Sequence, residues 1–352
     1  MDDKDDYVDA LCLELEQQVG FLPNTEIGTV YFGGGTPSLL SKAQLEKLFQ
    51  SIKRHYTIAD DAEITLESNP DDLDANYLQD LINIGFNRLS VGVQSFDDQD
   101  LKLIGRRHLG QDAIKVIKTA QEIGFQNISA DLIFGLPFQT SEKWLKNLNQ
   151  LFALNIQHIS CYNLSYEAGT AFHKMLQKGE LHELDDELSL EMYKMLIDES
   201  QKKGFVHYET SNFATNGLYS KHNSNYWSGN PYLGLGAGAH SYNGKDIRRW
   251  NASNNQQYIK GISEHKPVFE EEFIDDTTAY NEYIMTGLRT MWGCQLDQLQ
   301  QRFGQEKLNY CLNSASPHIA KQQIILKDNT ITIAAEAIFI SDQIMSDLMI
   351  VD

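Results

Sequence analysis

The stretch TVYFGGGTPSLL at 29–40 brings three consecutive glycines, Gly33, Gly34 and Gly35, to the end of an apolar β-type run, with Thr36 and Pro37 next. Residues without a Cβ at a strand tip let backbone N–H and C=O groups approach a ligand closely, or let the chain turn tightly into a helix. The P-loop lysine and the GxGxxG spacing are both absent, so neither common phosphate cradle is present. Two carboxylates, Glu67 in EITLESNP and Asp131 in SADLIFGLP, close other strand-like runs. They can accept hydrogen bonds from ribose hydroxyls or an ammonium group, and the Gln94 amide in VGVQSF can do the same. Arg106, in GRRH (105–108), offers a planar fork for a ligand carboxylate. Each of these side chains also has a plain reading, as a helix cap or a surface ion pair. His222 and His240, in KHNSNYWSGNPYLGLGAGAHSYNG (221–244), are candidate metal ligands or structural histidines.

Such residues need elements to place them. Strand-like runs at 29–34, 63–68, 88–95, 127–137, 158–165 and 206–213 alternate with helix-like segments at 5–19, 41–55, 74–84, 97–104, 112–123, 141–154 and 186–203. Strands joined by helices predict parallel βαβ units with right-handed crossovers. The fold class expected is α/β, a part-barrel of six βα units rather than a doubly wound open sheet, because polar or bare residues sit at every strand end. Those ends are where such folds bind ligands. Beyond the residues above they carry Ser68, Asn69, Ser95, Tyr162, Asn163, Glu209, Ser211 and Asn212. The Gly-, Asn- and aromatic-rich stretch predicts a long ordered loop over 214–244, not a regular helix. Residues 276–292 read as a helix, and a β-like pair, QIILKD and TITIAA, flanks Asn329. The expected division is a barrel region at 1–270 and a small α+β region at 271–352.

Composition narrows the partners. The chain has 352 residues and a formal net charge of −20, which disfavours a nucleic-acid backbone or a permanent hold on an anionic membrane. No run of 18 or more apolar residues predicts a membrane-spanning helix, and MDDKDDYVDA has no signal-peptide character. Cys12, Cys161, Cys294 and Cys311 form no CxxC or CxxxC pair, which fits a reducing cytoplasm and supplies no zinc or cluster motif.

In order along the chain, YFGGGTPSLL, ESNP, VGVQSF followed by GRRH, and DLIFGLP resemble the oxygen-independent coproporphyrinogen III oxidase group of radical S-adenosylmethionine enzymes. HNSNYW, followed by YLGLGAGAHSY, resembles the heme-chaperone branch of that group, HemW. The resemblance spans about residues 5–350. It implies a radical-S-adenosylmethionine part-barrel in which Gly33, Gly34 and Gly35 meet the methionyl amino group of the cofactor. It implies S-adenosylmethionine contacts at Gly34, Gly35, Thr36, Glu67, Gln94, Arg106 and Asp131, and a heme-serving role for His222 and Asn223 in the HNxxYW motif. The implied cofactors are S-adenosylmethionine, a 4Fe–4S cluster in the intact protein, and heme; the implied partner is a heme-acceptor protein.

The chain departs from the group at one point. The group carries a CxxxCxxC loop after its first strand, whereas this sequence opens on a helix, with Cys12 alone on it. The expectation is that a first strand and its cluster loop are missing, so that the chain as written holds no cluster and does not cleave S-adenosylmethionine reductively. The readings are a heme-binding chaperone, a true oxidase converting two propionates of coproporphyrinogen III to vinyls, and a cluster-free protein that binds S-adenosylmethionine or heme.

Overall fold

The computed structural model describes residues 4–215 and 217–351; Asn216, inside the expected loop, lies outside them. The chain divides into two compact units, one of residues up to 30, 40–62 and 221 onwards, the other of residues 31–39 and 63–220.

A mixed seven-stranded sheet is built from β1 (Glu26–Phe32), β2 (Thr57–Ser68), β3 (Arg88–Gln94), β4 (Asn127–Phe134), β5 (His158–Asn163), β6 (Phe205–Glu209) and β7 (Asn212–Thr215), in the order β1-β2-β3-β4-β5-β7-β6. Between them run α1 (Lys4–Gln17), α2 (Lys42–His55), α3 (Ala75–Ile84), α4 (Asp98–Leu103), α5 (Gly110–Ile123), α6 (Ser141–Phe152), α7 (Ala171–Gln177) and α8 (Asp186–Lys202). Strands β2 to β5 pair in parallel, and the sheet curls into a half-barrel, as the βα alternation predicts.

In unit two, alternation along the strands gives each its two faces. Ile64 and Leu66, then Leu89, Val91 and Val93, then Ile128, Ala130 and Leu132, then Ile159 and Cys161 are buried. On that side the helices pack: Trp144 of α6 lies against Phe134, with ring centroids 5.7 Å apart, and donates from Nε1 to Met192 C=O of α8 at 2.9 Å. The intervening residues are polar: Glu63, Thr65 and Glu67; Arg88, Ser90 and Gln94; Ser129 and Asp131; His158, Ser160 and Tyr162. They form the inner face of the curl.

Two expectations are corrected. The run 206–213 is not one parallel strand. It turns at Thr210–Ser211, and β7 returns antiparallel between β5 and β6. The Glu209 carboxylate closes this turn by accepting from Ser211 N–H at 3.1 Å and from the Asn212 side-chain amide. The expected loop over 214–244 contains a short helix, α9 (Lys221–Trp227). Its start is anchored by Lys221, which donates to the Asp61 carboxylate and C=O at 2.7 Å, and the His222 and Tyr226 rings meet edge-to-face one turn apart at 5.0 Å.

The remaining elements of unit one are β8 (His240–Tyr242), β9 (Ile247–Asn251), α10 (Asn255–Ser263), β10 (Phe269–Phe273), α11 (Asp276–Leu288), β11 (Cys294–Gln295), α12 (Leu296–Ala320), β12 (Ile324–Lys327), β13 (Thr330–Ile333) and α13 (Ser341–Leu348). The β12–β13 hairpin turns at Asp328 and Asn329, both in the left-handed region, where the sequence places it. Tyr280, Ile284, Leu288, Leu299, Ile331 and Ile344 form one core there. A second packs Ala10 of α1 against Tyr258 and Ile262. Beside it the buried Glu14 carboxylate accepts from Gly236 N–H, the Asn251 amide and Tyr258 O–H at 2.6–2.8 Å, which ties the glycine-rich stretch to α1. Among the described residues, no helix is long and apolar enough to cross a membrane.

Candidate functional site

The glycines behave differently from one another. A Cβ on Gly33 would lie 2.4 Å from Tyr31 Cε1 and 2.9 Å from Glu67 Oε1, so only glycine lets those two side chains close over the strand tip. Gly34 and Gly35 have φ of 69° and 59°, a region L side chains rarely adopt, and face open space. Gly34 N–H donates to Glu67 Oε2 at 3.1 Å, and Tyr31 O–H donates to Glu67 Oε1 at 2.5 Å. Burial and the adjacent Glu67 carboxylate push the Tyr31 phenol up, so it stays a donor. Thr36 is half-buried where the chain enters the turn Pro37–Leu39, and its C=O accepts from Leu39 N–H at 3.1 Å.

The end of β3 is bent. Its pairing with β4 shifts register between Val91 and Gln94, and Gln94 adopts a left-handed φ of 65°. Gly92 leaves room for this: a Cβ there would stand 3.0 Å from Gln94 Nε2 and 3.7 Å from Asn69 Oδ1. Arg106 Nη1 donates to that same Asn69 oxygen at 2.6 Å. Burial lowers the Arg106 pKa, opposed by the charges of Asp71 and Asp131.

Asp131 accepts from Ser90 Oγ at 3.3 Å and Ser129 Oγ at 3.4 Å. Its pKa is pushed up to about 6, chiefly by burial, with the buried Arg88 guanidinium opposing and Glu67 adding to the rise. The network continues inward: Ser129 Oγ lies 2.8 Å from His158 Nδ1, and His158 Nε2 lies 2.7 Å from Tyr208 Oη. Burial holds His158 well below the ordinary histidine range, with Arg88 adding to the effect.

Within unit two, Glu67 thus meets Gly33 by close approach and Gly34 by a hydrogen bond, Asp131 is coupled by charge to Glu67 and Arg106, and Arg106 bonds the Asn69 that lies across Gly92 from Gln94. At the β5 end, Asn163 Oδ1 lies 2.1 Å from where a Cβ on Gly135 would stand. Glu209, Ser211 and Asn212 are taken up in the β6–β7 turn. His222 and Asn223 sit on α9 in unit one. There His222 Nδ1 lies 3.3 Å from Thr29 Oγ1, and Tyr226 meets Tyr232 edge-to-face at 4.6 Å. His240 begins β8 with its ring stacked on Trp250 at 6.3 Å.

Tyr31, Arg88 and His158 were missed from sequence because they lie inside strands, not at their ends. The signal available was the alternation itself: Glu63-Thr65-Glu67, Arg88-Ser90 and Ser129-Asp131 repeat polar residues at every second position in strands that helices cover.

The sequence profile of the Radical SAM superfamily matches residues 5–151. The chain is 39% identical over 302 residues to the heme chaperone HemW of Bacillus subtilis (strain 168), a match covering 85% of this chain and 79% of that one. It is 33% identical over 287 residues to HemW of Escherichia coli (strain K12), covering 82% and 75%. Among solved structures, coproporphyrinogen III oxidase (HemN) from Escherichia coli superposes with a TM-score of 0.85 over 98% of this chain and 83% of that one. At 23% identity, that likeness establishes the half-barrel fold alone. With its curled sheet and its similarity to several HemW proteins over most of their length, the chain belongs to the HemW family of radical S-adenosylmethionine proteins.

Proposed function

We propose that the chain is a heme-binding HemW-type protein that holds S-adenosylmethionine at the strand tips of unit two and passes heme to an acceptor protein. One observation carries the cofactor assignment. Glu67 gathers Tyr31 O–H and Gly34 N–H at a tip whose next two glycines face open space. On this reading Gly33, Gly34, Gly35 and Thr36 offer backbone to the methionyl end, Glu67, Gln94 and Asp131 accept from its ammonium and ribose hydroxyls, and Arg106 meets its carboxylate. On the same reading residues 1–270 form the radical-S-adenosylmethionine-type part-barrel with loop 214–244, and 271–352 a small α+β C-terminal region.

Family membership brings a 4Fe–4S cluster, which supplies the electron for radical chemistry when bound. The described residues do not fit it. Cys161, Cys294 and Cys311 are buried, Cys12 is half-buried on α1, and no three His, Cys, Asp or Glu side chains among the described residues are grouped to hold a metal ion. No step is therefore assigned to a cluster held by them.

For heme, the reading rests on α9. His222 Nδ1 lies 3.3 Å from Thr29 Oγ1, which holds the imidazole in place, and Asn223 is the next residue of the helix. Two titrations test the whole. Calorimetry should show S-adenosylmethionine binding that weakens about tenfold in Glu67→Ala, a loss of ~1.4 kcal/mol. An unchanged affinity would remove the strand-tip site. Heme reconstitution should give a Soret band that His222→Ala shifts; an identical spectrum would take His222 off iron. Anaerobic incubation with coproporphyrinogen III should yield no vinyl product, and its formation would favour the oxidase reading.

A further inference from the structure

The stretch Gly105–Gly110 clips together two strand ends that carry candidate site residues. Gly105 leaves α4 with φ 71°, and Arg106 N–H returns to Leu101 C=O at 2.9 Å. Three successive side chains then reach from the loop to its neighbours. Arg106 Nη1 donates to Asn69 Oδ1 at 2.6 Å; Arg107 Nη2 donates to Asp72 Oδ1 at 3.2 Å, with its Nε 3.4 Å from Asp71 Oδ2. Both arginines therefore hold the segment that follows β2.

His108 turns to β3 instead. Its ring is 2% exposed, and Nε2 lies 3.1 Å from Val93 O. A carbonyl oxygen only accepts, so Nε2 carries the hydrogen. Nδ1 is buried with no hydrogen-bond partner, a cost an apolar side chain would avoid. The bond to Val93 is what distinguishes histidine from such a filler.

Val93 C=O is a sensitive place to hold. It also accepts from Ser95 N–H at 2.8 Å, and between them Gln94 is in the left-handed region beside the β3 register shift. The surrounding chain has no slack. A Cβ on Gly110 would lie 2.3 Å from Phe96 O, and Gly110 N–H donates to Asp98 Oδ1 at 2.9 Å.

We propose that His108 is a positioning residue: by donating from Nε2 to the Val93 carbonyl, it locks the strained Gln94 and the Arg106 guanidinium into one fixed arrangement for the ligand. Neither His108 nor Val93 touches the ligand in this account. The inference rests on the reading that Gln94 and Arg106 contact S-adenosylmethionine.

Calorimetric titration of S-adenosylmethionine into the full chain tests it, using His108→Phe, His108→Gln, Arg106→Ala and the double variants. His108→Phe should weaken binding about tenfold, and His108→Gln, whose amide can donate to Val93, should recover most of that loss. In the Arg106→Ala background the same His108 change should cost about threefold or less, because one of the two groups it positions is gone. Binding by His108→Phe within twofold of the unchanged protein overturns the inference, as does an equal loss in both backgrounds, which marks a purely structural residue. If His108→Phe does not fold, His108→Gln against His108→Gln/Arg106→Ala makes the same comparison. Failure of the unchanged protein to bind overturns the strand-tip reading, and the inference falls with it.

Discussion

Asp131 shows how a side chain can be poised by its surroundings. Ser90 and Ser129 hydroxyls point at it, Arg88 favours its ionised form, and burial and Glu67 oppose that form. The balance lifts the carboxyl from 3.8 to about 6. The folded protein therefore keeps this proton at pH values where the unfolded chain has lost it. Its stabilising contribution is complete below about pH 4 and is lost as pH rises through about 6, at most ~3 kcal/mol. Urea unfolding from pH 4 to 7 should show Asp131→Asn gaining stability relative to the unchanged protein as pH rises. Parallel pH profiles for the two proteins would mean that Asp131 ionises normally. Tyr31 depends on the same neighbourhood, since its partner Glu67 keeps the phenol protonated and donating.

Local geometry at the ends of elements explains why these groups meet. The tip of β1 works because Gly33 has no Cβ to collide with Tyr31 and Glu67. Gly33→Ala should break the Tyr31–Glu67 contact and weaken S-adenosylmethionine binding about tenfold or more, as read by calorimetry. Binding that survives the change would mean the tip can relax without its glycine. The following helix α2 begins with a capping box: Ser41 Oγ accepts from Gln44 N–H at 3.4 Å, and Gln44 Oε1 accepts from Ser41 N–H at 2.8 Å. Ser41→Ala should cost about 1 kcal/mol in chemical denaturation, since it removes the acceptor of one otherwise orphaned donor.

The whole chain carries a formal net charge of −20, and many ion pairs among the described residues are exposed, such as Lys146–Glu142 and Lys178–Glu180. Exposed pairs of this kind stabilise little, while the unbalanced negative charge repels itself in the compact state. Raising salt from about 20 to about 200 mM should therefore raise the melting temperature by roughly 2 °C or more, because screening weakens the repulsion more than it weakens the pairs. A fall on adding salt would show that attractive pairs dominate. Stability otherwise rests on separate apolar cores. Leu89, Ile128 and Leu148 are fully buried in unit two, and Ile284, Leu299 and Ile331 in unit one.

The alternation of strands and helices, the bare tip at Gly33–Gly35 and the strand-end carboxylates Glu67 and Asp131 were all legible from the residues. Period-two patterns, glycine caps and S-x-x-Q boxes act over a few neighbouring positions, so sequence alone carries them. The direction of β7 was not legible, because it is set by the strand it pairs with; Ser160 meets Asn212 only once β5 and β7 are side by side. The helix α9 was hidden in a run rich in asparagine and glycine, where the anchoring of Lys221 to Asp61, 160 positions away, overrides weak local propensity. The inner partners of the site belong to the same class. Ser90 reaches Asp131 across 41 positions and His158 reaches Tyr208 across 50, contacts that exist only once the strands lie side by side in register in the sheet. Local physics wrote the elements and their tips; strand pairing and register chose which side chains face one another.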